Sequence, residues 1–355
     1  MSDWATRTVK AIGWVAQYRE RNRTAHQLTS RAHARAVRPS RFHPPRRIER
    51  MCTVSSELRD GQRIYRLMPH PSGAPRVAGE PASHGTASHG TASHGTASHG
   101  TAAADRPALL FLHGGGYVNE MLSAHWVVAA TLCAELKRQV IVPIYPLAPL
   151  GNAADNYQRM VALYRRECER VGPPDVIGDS AGGGMALALL LQVVQAGLPL
   201  PDRCVLHSPW LDLTCANPDV VARAKLDVML SPTMLESASR LWAGDLPLED
   251  PQVSPLFGDL AALAPTRFLV LTGTHDILNA DSRAFRDRAQ ELGLQVVFLE
   301  DEEQPHVFAF LPTRQGRAAK RRIESFLLGD PAPGRDADPR IASRRAFRRA
   351  SRLLD

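Results

Sequence analysis

The stretch VIGDSAGGGM, residues 176–185, sets one serine among small residues where a short apolar run gives way to ALALLLQVV. A serine hydroxyl attacks a carbonyl only when a base removes its proton and fixed donors hold the charge that develops. Gly178-Asp179-Ser180-Ala181-Gly182 fits G-x-S-x-G, in which the serine rides a sharp strand-to-helix turn. Crowding at such a turn requires small residues two positions away, which accounts for glycines at the start of an otherwise helix-forming segment. The helix N-terminus also presents free N–H groups and a partial positive charge beside the serine oxygen. A phosphate cradle is the poorer reading, because the G-x-G-x-x-G spacing and the P-loop lysine are both missing.

His113-Gly114-Gly115-Gly116-Tyr117 follows the strand-like ALLFL. Glycines after a parallel strand leave backbone N–H groups bare, and such donors can hold the oxyanion of a tetrahedral intermediate. The serine also needs a base, and the base an orienting carboxylate. RFLVLTGTHDIL places Asp276 just past one strand, and QVVFLEDEEQPHVF places His306 in the loop past the next. The chain order Ser, Asp, His is the order that accompanies this elbow. Other candidates fit less well. Asp281 falls on the following helix and is expected to face solvent or support a neighbour. His275 points away from Asp276 by strand alternation, and Glu302 and Glu303 are too close to His306 in sequence. His207 reads as a buried structural imidazole and His125 as a packing residue on a helix.

These residues must be carried by elements that bring them to one place. From residue 107 onward short apolar strands alternate with helices, which indicates an α/β fold with a mostly parallel sheet covered on both faces. Upstream, TVSSELRDGQRIYRLM alternates around Asp60-Gly61 and reads as a hairpin with a two-residue turn. Residues 216–250 break the rhythm and read as an insertion over the edge or top of the sheet. Residues 82–101 are four copies of ASHGT, without a large apolar side chain. They are read as part of a flexible linker over 70–106. The repeat histidines (His84, His89, His94, His99) are weak metal candidates, and no metal or other cofactor is expected. The catalytic domain is therefore placed at 51–329, after a basic helical segment at 1–50 and before a basic tail at 330–355.

The net charge is +7, but it is unevenly distributed. Residues 1–50 hold twelve Arg/Lys against three Asp/Glu, and residues 330–355 hold seven against four, so the body between them is net acidic. We expect no nucleic-acid partner. The tail has Ile341, Phe347, Leu353 and Leu354 among arginines, so weak contact with an anionic membrane surface is its one further reading beyond a loose solvated end. Five cysteines without C-x-x-C spacing argue for reduced thiols and a cytoplasmic setting. No secretory signal is evident, and no run approaches the roughly 18 apolar residues of a membrane span.

FLHGGGY, YPLAP, GDSAGGG, SPWLDLT, VSPLF and the THDIL/PHVF pair together resemble the hormone-sensitive-lipase-like esterases of the α/β-hydrolase superfamily, from about residue 53 to residue 328. The resemblance implies a helical cap and a carboxylesterase acting on small or medium acyl esters. It casts Ser180 as nucleophile, His306 as base and then acid, and Asp276 as orienting carboxylate. The oxyanion hole would use N–H groups of Gly115, Gly116 and Ala181, with Gly114 shaping the turn. The cap would come from residues 1–50 and 216–250. An amidase or deacetylase using the same three residues, or a binding protein on the same scaffold, are the alternatives. The sequence departs from the family pattern at Leu150, Gly184 and Val307.

Overall fold

The structure is a computed structural model that describes residues 43–71 and 106–330, with isolated positions at Gln27, Ser30 and Ala34. The ASHGT repeats, the C-terminal tail and nearly all of the N-terminal segment assigned to the cap lie outside the described residues.

Strands β1 (Cys52–Arg59) and β2 (Gln62–Pro69) form the expected hairpin, with Arg59 opposite Gln62. Asp60 and Gly61 both have positive φ, 50° and 74°. Two such residues in succession match the right-handed twist of the flanking strands. Six further strands complete one sheet: β3 (Leu109–Leu112), β4 (Val140–Ile144), β5 (Asp175–Asp179), β6 (Arg203–His207), β7 (Arg267–His275) and β8 (Val296–Pro305). Their spatial order is β1-β2-β4-β3-β5-β6-β7-β8, with β2 antiparallel to both neighbours and every other pairing parallel.

Alternation along the strands divides the core into two. Leu110, Leu112, Val176, Leu206 and Val270 face one cluster. There they meet α2 (Ala153–Arg170), α3 (Ala181–Gln195) and α6 (Asn279–Glu291). Leu109, Phe111, Ile177, Val205 and Leu269 face the other, against α1 (Ser123–Leu136) and α7 (Arg314–Leu328). A strand buried on both faces can be apolar throughout, which is why these strands read as unbroken hydrophobic runs. Because β3 and β5–β8 all run the same way, their C-terminal ends share one rim. The glycine loop, Ser180, Asp276 and His306 each follow one of those ends, after β3, β5, β7 and β8.

The insertion contains two helices, α4 (Pro218–Arg223) and α5 (Pro232–Ala243), between β6 and β7. Its Trp242 is fully buried and stacks on Tyr117 of the glycine loop, ring centroids 4.1 Å apart. Among the described residues no helix is long and apolar enough to cross a membrane.

Candidate active site

Ser180 occupies φ 54°, ψ −123°, a conformation rarely open to a residue with a side chain. The surroundings fix it there. Its N–H donates to the His207 carbonyl at 2.9 Å, and its own carbonyl accepts from Gly183, Gly184 and Trp210 at 3.0, 3.1 and 3.0 Å. A Cβ on Gly178 would overlap the Gly182 carbonyl, and one on Gly182 would overlap the Leu112 carbonyl. The small residues around Ser180 are therefore demanded by backbone passing against backbone.

The three predicted catalytic side chains meet. His306 Nε2 lies 2.9 Å from Ser180 Oγ, and its Nδ1 lies 3.1 and 3.0 Å from the two carboxylate oxygens of Asp276. Asp276 has no solvent exposure, His306 3% and Ser180 7%, so these bonds form away from competing water. With Nδ1–H donating to Asp276, Nε2 presents its lone pair to the serine hydroxyl. Burial alone would lower the His306 pKa. The charge and hydrogen bond of Asp276, helped by Asp227 and Asp179, outweigh it and raise the pKa above the ordinary histidine value.

Gly115 and Gly116 take φ values of 129° and 61°. Among the described residues the N–H groups of Gly115, Gly116 and Ala181 have no hydrogen-bond acceptor. Gly114 differs, since its N–H donates to Asp179 Oδ1 at 3.1 Å, which suits a turn-shaping role. Asp179 thereby ties the glycine loop to the serine elbow. Its Oδ2 meets His125 Nε2 at 3.2 Å, while His125 Nδ1 accepts from the Leu122 N–H at 2.9 Å. Burial would raise the Asp179 pKa, but His125, His207 and His113 together hold it below the usual carboxylate value.

The remaining candidates separate clearly. His207 is fully buried, accepts the Ala309 N–H and is pushed down to about 4, chiefly by burial. His125 is a packing residue, as expected, with the added bond to Asp179. Asp281 does not face solvent. It is 2% exposed and its Oδ2 accepts N–H groups of Leu211 and Asp212 at 2.8 and 3.0 Å, because α6 turns it inward beneath the loop after β6. Glu302 and Glu303 are exposed and His275 is partly exposed.

Two departures from the family pattern have physical readings. A Cβ on Gly184 would strike the Trp210 carbonyl and the Tyr117 hydroxyl, so no side chain fits there. Val307 adopts φ 48°, where a β-branched residue is strained and glycine is not. Leu150 is simply exposed.

A sequence profile described as the alpha/beta hydrolase fold matches residues 109–310, more than half of the chain. The chain belongs to the α/β-hydrolase fold family. An esterase from Acinetobacter venetianus is 35% identical over 200 residues, covering 55% of this chain and 65% of that protein. An acetyl-hydrolase from Streptomyces hygroscopicus is 34% identical over 231 residues, covering 63% and 76%. The chain thus spans just under two thirds of the first relative and about three quarters of the second. EstE7, a hormone-sensitive-lipase homologue from a metagenome library, shares the fold with a TM-score of 0.68. The match covers 92% of this α/β hydrolase and 98% of EstE7, at 21% identity. The α/β-hydrolase fold read from the motifs stands.

One buried carboxylate beside the site escaped the sequence. Asp227, in the insertion, is 2% exposed and accepts the Ile277 N–H at 2.8 Å, next to Asp276. Nothing local in AKLDVMLS marks it, since its importance comes from where the insertion docks.

Proposed function

We propose that this α/β hydrolase is a serine carboxylesterase that cleaves short- to medium-chain acyl esters through an acyl-enzyme. The observation that carries the reading is His306 bonded at once to Ser180 Oγ and to the Asp276 carboxylate. The names of the two curated relatives, esterase and acetyl-hydrolase, support an ester substrate with a small acyl group.

Ser180 Oγ attacks the ester carbonyl while its proton passes to His306 Nε2. Asp276 holds the ring in the required tautomer and stabilises the imidazolium. The tetrahedral oxyanion takes hydrogen bonds from N–H groups of Gly115, Gly116 and Ala181, each worth roughly 3–4 kcal/mol in comparable sites. Collapse breaks the C–O bond, and the alcohol leaves with the proton from Nε2. Water then repeats the sequence on the acyl-serine and frees the acid. Every step uses a group of this chain. The insertion at 216–250, with residues 1–50, is assigned the role of cap, and the Trp242–Tyr117 stack supports the insertion's share of it.

The test is hydrolysis of p-nitrophenyl esters from acetate to longer acyl chains, comparing wild type with Ser180→Ala. We expect turnover to fall by a factor on the order of ten thousand or more. Equal rates would overturn the mechanism, and a preference for amides would move the assignment to an amidase.

A further inference from the structure

The insertion does more than lie over the rim. It holds the short loop that carries Asp276 from both flanks. On one flank, Arg223 at the end of α4 donates from its guanidinium to the Thr274 carbonyl at 2.9 Å. On the other, Asp227 Oδ2 accepts from the Ile277 N–H at 2.8 Å. Asp227 is itself fixed, because its Oδ1 accepts N–H groups of Met229 and Leu230 at 2.6 and 2.8 Å. The loop thus has a donor from the insertion on its carbonyl side and an acceptor on its amide side, with Asp276 between.

We infer that Arg223 and Asp227 are positioning residues for the reaction, gripping residues 274–277 so that Asp276 meets His306, and that Asp227 adds a second negative charge to the field at that imidazole. The inference rests on the Ser180–His306–Asp276 reading. The charged and titratable groups acting on His306 are Asp276, Asp227 and Asp179, with His207 beside them. Those acting on Asp227 are Asp276 and His306. Both carboxylates are buried, so their charges are weakly screened. Burial and the Asp276 charge push the Asp227 carboxyl itself up to about 6, so it is ionised above that pH, where loss of its charge makes His306 less basic.

The experiment compares Asp227→Asn, Asp227→Glu and Arg223→Gln with wild type. It measures kcat, KM and the pH dependence of kcat/KM on p-nitrophenyl acetate, with the folded fraction counted by fluorophosphonate labelling of Ser180 run to its end point, so that slower labelling is not scored as unfolding. Small misplacements of catalytic groups cost up to about a hundredfold, so kcat should fall ten- to a hundredfold in Asp227→Asn with KM within about twofold. Its acid limb should move to lower pH. Asp227→Glu keeps the charge and should keep the limb in place, even where the longer side chain lowers kcat. Arg223→Gln should lower kcat without moving the limb down. A merely structural role would lower the labelled fraction in all three and shift no limb. Unchanged kcat per labelled site in Asp227→Asn and Arg223→Gln overturns the grip, and an unmoved limb in Asp227→Asn overturns the charge. Should neither Asp227 variant label, Arg223→Gln decides alone, with normal kcat counting against. Full activity in Ser180→Ala would instead sink the catalytic reading on which the inference stands.

Discussion

Asp281 shows how far a single residue can be read from sequence and where that stops. Its burial, reinforced by the charges of Asp212 and Asp276, pushes its pKa up to about 8, although two backbone N–H bonds oppose the shift. A carboxyl with a raised native pKa keeps its proton longer in the folded chain than in the unfolded one. Its contribution to stability is therefore intact below the unfolded value, about 4, and is lost as the pH climbs towards 8. An asparagine oxygen could accept both N–H groups without taking on charge. Asp281→Asn should accordingly match wild type near pH 5 and exceed it near pH 8, as read from urea midpoints at the two values. The opposite trend would mean that the carboxylate is stabilised as an anion. Ser180, Asp276 and His306 were legible because each ends a strand and their order follows a known pattern. Asp281 and Asp227 were not, because their partners arrive from segments far off in the chain.

At the scale of elements, glycine positions separate two kinds of constraint. Gly182, the second residue of α3, lies directly against the Leu112 carbonyl, and a methyl group there has nowhere to go. Gly182→Ala should cost more than about 3 kcal/mol, as backbone displacement in a packed core does, and abolish turnover with it. Gly61 has open space around it but sits at φ 74°, so Gly61→Ala should cost only about 1 kcal/mol and leave kcat unchanged. Thermal melts of the two variants beside an ester assay check both expectations, and equal losses would refute the distinction. The hairpin, the parallel strands and most helices followed from periodicity and turn chemistry alone. The docking of α4 and α5 did not, because it depends on Trp242 finding Tyr117 and on Arg223 and Asp227 finding the loop at 274–277.

In the whole molecule, the reactive rim and the strand ends that flank the connection between β2 and β3 lie at opposite ends of the sheet. Leu67 near the end of β2 and Leu109 at the start of β3 both pair with Val140, so the two ends are about 10 Å apart, two strand spacings. The glycine loop begins at the other end of β3. Removing residues 82–101 roughly halves the connection, and halving a loop changes its closure cost by only about 0.6 kcal/mol. The shortened protein should melt within a few degrees of the full chain and hydrolyse p-nitrophenyl acetate at the same rate, whereas a large drop in kcat would give the repeats a part in turnover. The separation also makes the crossing a natural splice point. A fluorescent reporter or an affinity handle genetically grafted there would be anchored through strand ends remote from Ser180.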